Sequence, residues 1–334
     1  MNPIIFVGDT AFDKKPEFDD YLSKLFEDSA FSVMNFEAFL SDKQIPLGIT
    51  ESLFLDILKG MKCKVICVAN NHSLDNGLKK LERLEQIAES AGASVIGTSK
   101  RPWIIVDNCD MKLGILNAVW TLTGVKKRRH LNAFGTKIKS LVSQIQNMKE
   151  AKVDKVVLVI HWGIELEIIP HPVQIQMARE LVDAGADIIV GHHSHLIQPF
   201  GVIHEKPIYY SIGNFYIPIS EKTWYYPPET KRGLLILYDG EASQVKTIQN
   251  SGERITYLDG IGGENLLFSA DYASYFESHR KKKHIPPLDS ESFLYRLRFL
   301  RVRFLSLVTS VSLFGILWKW LKPKLKAFGS NQEI

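Results

Sequence analysis

Lys155–Gly163 reads KVVLVIHWG. Its aliphatic run is too short for an ordinary helix, and its β-branched residues favour a pleated backbone. No polar residue interrupts Val156–Ile160, which predicts a strand buried on both faces, as in a parallel sheet covered by helices. The run stops at His161, so the strand delivers an imidazole at its C-terminal end. In sheets of this kind that edge is where ligands bind.

The same pattern recurs outward in both directions. IIFVGD ends in Asp9, VMNFE carries Asn35 and Glu37, VICVANNH ends in Asn70, Asn71 and His72, and DIIVGHHSH ends in His192, His193 and His195. Between these runs, helical periodicity is expected over Glu17–Asp28, Thr50–Lys59, Gly77–Ala91, Thr136–Lys149 and Val173–Ala184, with Thr50 placed to cap its helix. Further strands are expected at Phe31–Phe36, Lys64–Ala69, Ser94–Gly97, Trp103–Val106, Leu113–Asn117, Asp187–Val190, Pro207–Ile212 and Gly233–Tyr238. The expected fold is α/β: a layered β-sheet core flanked by helices over residues 1–265, with a second or antiparallel portion where the later strands follow one another with less helix between them.

Any one Asp, Asn or His after a strand is an ordinary turn or core residue. Five strand ends delivering such groups together are what a metal site needs. Of ten histidines, five stand at these edges. Carboxylate, amide oxygen and imidazole suit a hard or borderline divalent ion, with Zn, Mn or Fe expected, rather than a thiolate site. Such an ion lowers the pKa of water and neutralises charge on a phosphoryl or carbonyl oxygen.

The 334 residues are 45% hydrophobic and 23% charged, enough for a large core and close to an ordinary globular balance. The net charge is +4, but twelve Lys or Arg against two acids between His279 and Lys326 give that segment +10, leaving −6 elsewhere. The body therefore shows no nucleic-acid footprint. Cys63, Cys67 and Cys109 form no CxxC pair, which fits buried thiols and a reducing compartment. The first residues carry neither a basic stretch nor a long apolar run, so no signal peptide is read and a cytoplasmic location is expected.

A linker is expected over residues 266–295. Beyond it, residues 296–326 read RLRFLRVRFLSLVTSVSLFGILWKWLKPKLK. The uncharged stretch Phe304–Leu317 is shorter than the roughly 20 apolar residues of a membrane span. Basic residues on both sides, with Trp318 and Trp320 at one flank, fit a helix lying on an anionic membrane surface. A helix docked on the body or on a second copy is the other reading.

GD at 8–9, NFE at 35–37, ANNHSLDNG at 69–77, HWGIE at 161–165, GHHSHLIQP at 191–199 and YSIGNF at 210–215 resemble, in order, the motif series of CapA-type proteins, which are linked to poly-γ-glutamate capsule synthesis. The order is also similar to that of the calcineurin-like metallophosphoesterases. The resemblance implies that Asp9 binds one metal and that Glu37 bridges. It implies that Asn71, His161 and His193 hold a second ion, with His195 nearer the first. His72 would face substrate as a general acid or transition-state donor. His192 is expected to pack or support a ligand rather than bind metal.

Asn35 belongs to the same motif, and Asn214 is expected in a turn at the site edge. Asp75 either orients His72 or caps the following helix. Glu165 either holds an imidazole tautomer or is a solvated loop acid. Trp162 either walls the pocket or packs in the core. Trp224, Tyr225 and Tyr226 form an aromatic loop that either grips a polymer or covers the sheet. Two departures from the wider superfamily are visible: Asp9-Thr10-Ala11 lacks the second histidine of an Asp-x-His motif, and Glu37 stands where an Asp is usual. One tight ion is therefore as consistent as two.

The implied function is a metal-dependent hydrolase acting on a phosphate ester or anionic polymer in capsule or surface-polymer biosynthesis, alongside other capsule synthesis proteins. The alternative is a non-catalytic metal-binding component of a membrane-associated synthesis and export complex.

Overall fold

In the computed structural model, residues 2–43, 45–108, 111–125, 128–218 and 226–258 are described. All of them fall in one compact unit. Cys109, Trp224, Tyr225, the expected linker and the basic tail lie outside the described residues.

Two large sheets form the core. The first runs from edge to edge through Glu17–Phe18, Arg254–Leu258, Ser243–Asn250, Arg232–Tyr238, Ile4–Thr10, Phe31–Phe36, Cys63–Cys67 and Ser94–Ile96. Asn214–Tyr216 also pairs with Ile4–Thr10. The second runs through Ala133–Phe134, Met111–Trp120, Lys155–His161, Ile188–His192, Lys206–Tyr209 and Phe200–Ile203, with Trp103–Asn108 on Met111–Trp120. The strands that carry the site are parallel within each sheet.

Side-chain alternation builds the layers. Ile4 and Phe6 join Val157 and Val159 in an apolar layer between the two sheets. Ile5 and Val7 face outward onto the helices Asp20–Asp28, Glu51–Gly60 and Leu78–Ser90. Val156, Leu158 and Ile160 face outward onto Lys139–Glu150 and Pro172–Asp183. The result is four layers, helices–sheet–sheet–helices. It explains why the KVVLVI strand has no polar face: both of its faces meet apolar neighbours.

Most expected elements appear within a residue or two. Thr50 caps Glu51–Gly60, its hydroxyl accepting from Leu53 N at 3.4 Å. Two helices start three residues late: Lys139–Glu150, expected from Thr136, and Asp20–Asp28, expected from Glu17. Asp19 accepts from Leu22 N at 2.8 Å and begins Asp20–Asp28, while Glu17–Phe18 is spent as an edge strand beside Arg254–Ile255. The antiparallel portion is the run Arg232–Tyr238, Ser243–Asn250 and Arg254–Leu258. Ser243–Asn250 carries few apolar residues and Arg254–Leu258 spans only five positions, and neither gave a strong sequence signal. Among the described residues, no helix is long and apolar enough to cross a membrane.

Candidate metal centre

The loops that follow the parallel strands of both sheets meet at one end of the molecule. Asp9 sits where the pairing of Ile4–Thr10 with Phe31–Phe36 shifts between Val7 and Asp9. Such an irregularity re-aims a side chain. Gly8 permits it: a Cβ there would stand 2.3 Å from the carbonyl oxygen of Gly213. In the opposite sheet Gly191 admits a close backbone neighbour, since a Cβ there would meet Tyr210 O at 2.0 Å.

Asp9 is fully buried and well supplied with donors. Asn35 Nδ2 donates to Oδ1 at 2.8 Å, His192 Nδ1 lies 2.8 Å from the same oxygen, and the His193 backbone N–H donates to Oδ2 at 3.1 Å. Burial alone would raise its pKa. The His192 hydrogen bond and charge, with His195 and His161, outweigh burial and hold it well below the usual carboxylate range.

Glu37 is equally buried, yet neither carboxylate oxygen has a hydrogen-bond partner. Its Oε1 lies 3.7 Å from His161 Nε2 and 3.8 Å from both His195 Nε2 and His72 Nε2. These distances are too long for hydrogen bonds. They suit a shared ion: two atoms each about 2.1 Å from one metal stand roughly 3.0–4.2 Å apart, depending on the angle between them. Burial pushes the Glu37 carboxyl well above its ordinary pKa, and the charges of Asp9, Glu165 and Asp75 add to the effect.

The imidazoles are in the form a metal needs. Burial first, then neighbouring histidines, drives His161 well below its ordinary pKa and takes His193 down to about 3. Both are neutral at pH 7, with lone pairs available. His193 Nδ1 is buried without a partner. Asn71 Oδ1 stands 2.7 Å from His161 Nε2. Ligand-capable atoms of Glu37, His161 and His193 lie within 4.8 Å of one another, and so do those of Asp9, Glu37 and His195. His193 and His195 hold φ of 96° and 60°, a left-handed backbone that costs a side-chain-bearing residue about 1–2 kcal/mol. Strain of this kind concentrates at functional sites. Orphaned carboxylate, neutral imidazoles and an amide oxygen together fit one or two divalent cations.

The remaining expected residues surround this centre. His72 stands at its mouth, 30% exposed, with Nδ1 2.8 Å from Asp75 Oδ2. Gly77, not Asp75, is the cap residue of the following helix. His192 holds Asp9. Asn214 is in a short strand rather than a turn, with Oδ1 2.9 Å from His195 Nδ1. Glu165 accepts the Tyr226 hydroxyl at 2.9 Å, and the Tyr226 ring lies over His195. Trp162 is core: it is buried, stacks on Tyr210 and donates to Tyr210 O at 2.9 Å.

Three supporting residues were not among the expected site residues. Asn70 accepts from the backbone N–H groups of His72 and Ser73 and donates to Phe36 O, folding the Asn71–His72 loop against the Glu37 strand. Its signal was the local turn chemistry of asparagine. Buried Asn117 ties the sheets together, accepting from Ala69 N at 2.7 Å and donating to Val159 O at 2.9 Å. Nothing in its LGILNAVW context marks it. Tyr226 was visible only as part of an aromatic run.

Two sheets thus lie face to face, and carboxylates from one meet imidazoles from the other at a shared edge. The chain belongs to the family described as bacterial capsule synthesis protein PGA_cap, whose family model matches residues 4–218. It is 30% identical over 230 residues to the capsule biosynthesis protein CapA of Bacillus anthracis, covering 66% of this chain and 54% of that protein. It is 32% identical over 229 residues to the PGA biosynthesis protein CapA of Bacillus subtilis, covering 66% and 57%. The chain thus spans about half the length of these curated relatives. Among solved structures it is similar to the calcineurin-like phosphoesterase YfkN from Bacillus subtilis, at a TM-score of 0.43 and 12% identity, over 84% of this chain and 97% of that one.

Proposed function

We propose that this chain is a metal-dependent phosphoester hydrolase acting in the assembly of a capsule or surface polymer of the poly-γ-glutamate type. The observation that carries the reading is Glu37, a buried carboxylate with no hydrogen bond and three imidazole nitrogens at 3.7–3.8 Å. A protein does not ordinarily leave such a group uncompensated.

Asp9, Glu37 and His195 would hold one divalent ion, and Glu37, Asn71, His161 and His193 a second. A bound ion of this class supplies Lewis-acid charge and acidifies water. Of the histidines at the centre, His72 is the one with access to solvent. Asp75 fixes its Nδ1, so Nε2 points toward the Glu37 side of the mouth. There it would donate a proton to the departing oxygen of the ester. His192 and Asn35 would keep Asp9 ionised and aimed. The basic segment 296–326 would hold the enzyme against an anionic membrane surface near an anionic polymer substrate. Loss of nothing in liposome flotation after truncation at Ser290 would remove that part of the proposal.

The test has two stages. Metal content of the purified protein should fall in His161→Ala and His193→Ala; equal content in all three rejects the ligand set. The metal-loaded protein, screened against phosphomonoesters, phosphodiesters and γ-linked glutamate, should lose about 10²–10⁴-fold in turnover in His72→Ala while keeping its metal. A His72→Ala strain that makes normal polymer would favour the non-catalytic component of a synthesis and export complex.

A further inference from the structure

One short segment acts on His195 twice, once directly and once through Asn214. The Tyr226 ring packs against the imidazole at a tilt, with centroids 5.0 Å apart and planes 35° apart. Four residues later, Thr230 O accepts from Asn214 Nδ2 at 3.0 Å. A backbone carbonyl can only accept, so this bond fixes which way the Asn214 amide points. Asn214 Oδ1 must then face His195 Nδ1, at 2.9 Å, and that nitrogen must carry the proton. In the neutral ring the lone pair is left on Nε2, the nitrogen that faces Glu37 at 3.8 Å.

Asn214 Oδ1 at 2.9 Å and, more distantly, Asp9 Oδ2 at 3.4 Å set the direction of the ring at Nδ1 but leave it room to tilt. The Tyr226 ring against its face limits this freedom. Tyr226 is anchored in turn by its hydroxyl, which donates to Glu165 Oε1 at 2.9 Å. The segment is stiff: Pro227 and Pro228 fix φ, and Thr230 closes the turn with its N–H and hydroxyl on Pro227 O at 3.0 and 2.7 Å. His195 needs such support, because its φ of 60° is one its backbone would leave if released.

We infer that Tyr226–Thr230 is a clamp that sets the tautomer and tilt of His195, and that Tyr226 is a positioning residue for the metal centre. The inference rests on the metal reading above for its purpose, but not for its geometry. Outer partners of metal-binding histidines typically contribute about 10–100-fold in metal affinity.

The experiment titrates the metal-free full chain with Mn(II) alone, counting free Mn(II) by electron paramagnetic resonance. Tyr226→Ala should bind about 10–100-fold more weakly than wild type. Tyr226→Phe keeps the ring but loses the Glu165 anchor and should lose less; it decides the matter if the alanine variant does not fold. In parallel, histidine ¹⁵N shifts of the metal-free protein should show Nδ1–H at His195 in wild type and averaged shifts in Tyr226→Ala. Unchanged Mn(II) affinity together with unchanged shifts overturns the clamp. Wild type that binds no Mn(II) but shows the shift change overturns the metal reading and leaves the clamp standing.

Discussion

Asp9 and Glu37 are two buried carboxylates at the ends of neighbouring strands, and the chain treats them in opposite ways. Asp9 receives three donors. Glu37 receives none. Both are essentially shielded from solvent. Asp9 is held well below the ordinary carboxylate range by His192 and its neighbours, whereas burial pushes Glu37 well above it. The difference shows what each corner is for. The Asp9 corner is compensated by donors of the protein itself, which hold the carboxylate ionised and aimed whether or not an ion is bound. Among the described residues nothing hydrogen-bonds the Glu37 carboxylate, although three imidazole nitrogens ring it. A divalent cation is the partner proposed for it above.

That contrast can be broken by substitution. The largest effect is expected for Asp9→Ala, which strips the acceptor from Asn35, His192 and the His193 amide. Chemical denaturation of the metal-free protein should show a loss of about 3–5 kcal/mol, the range for removing one partner of a buried polar pair. Glu37→Gln should move the other way. The amide cannot ionise, so the variant escapes the cost of keeping a buried carboxyl protonated, and at pH 7 the metal-free variant should be more stable than wild type, by up to about 1.4 kcal/mol for each pH unit above the unfolded carboxyl pKa, while losing its metal. If both variants destabilise the metal-free protein equally, the asymmetry between the corners is not real.

The contrast is sharpened by pH. Glu37 keeps its proton in the folded state above the unfolded carboxyl pKa of about 4.3. From there upward the folded state binds more protons than the unfolded one, so the Glu37 contribution to stability falls as pH rises, by up to about 1.4 kcal/mol per pH unit for one proton. The depressed His161 and His193 act in the opposite sense: their contribution is present above the unfolded histidine pKa of about 6.5 and is lost as pH falls through it. The two trends overlap between about pH 4.5 and 6.5, so wild type alone does not separate them. The stability difference between Glu37→Gln and metal-free wild type does, because the histidines are common to both. That difference should widen from pH 4.5 to 7; a flat difference would place the Glu37 pKa at its ordinary value.

The parallel core was legible in the sequence because strands buried on both faces write themselves as unbroken aliphatic runs. Val156–Ile160 is the clearest case, and the site followed from what stands after each run. Glu17–Phe18 was misread because their pairing partner, Arg254–Ile255, is more than 230 residues away, and local periodicity carries no long-range information. Ser243–Asn250 was missed because an antiparallel strand near a sheet edge needs few apolar residues, and Arg254–Leu258 because its apolar residues Ile255, Tyr257 and Leu258 span only five positions. Asn117 and Tyr226 were missed for another reason. Their roles depend on which backbone carbonyl or ring lies opposite them, and only packing of the two sheets decides that.

Asn35 lies between the two carboxylates and offers the smallest and finest test. Its Nδ2 donates to Asp9 Oδ1, while its own Oδ1 is buried without a partner. Asn35→Ala removes one of three donors from Asp9 and at the same time removes an orphaned acceptor. The first change costs roughly 0.5–1.5 kcal/mol and the second offsets part of it. The net destabilisation of the metal-free protein should therefore be no more than about 1 kcal/mol, well short of Asp9→Ala. A loss as large as that of Asp9→Ala would mean that Asn35, and not His192, is what keeps Asp9 unlike Glu37. The compensation of that corner would then come from an amide in its own sheet rather than from an imidazole across the gap.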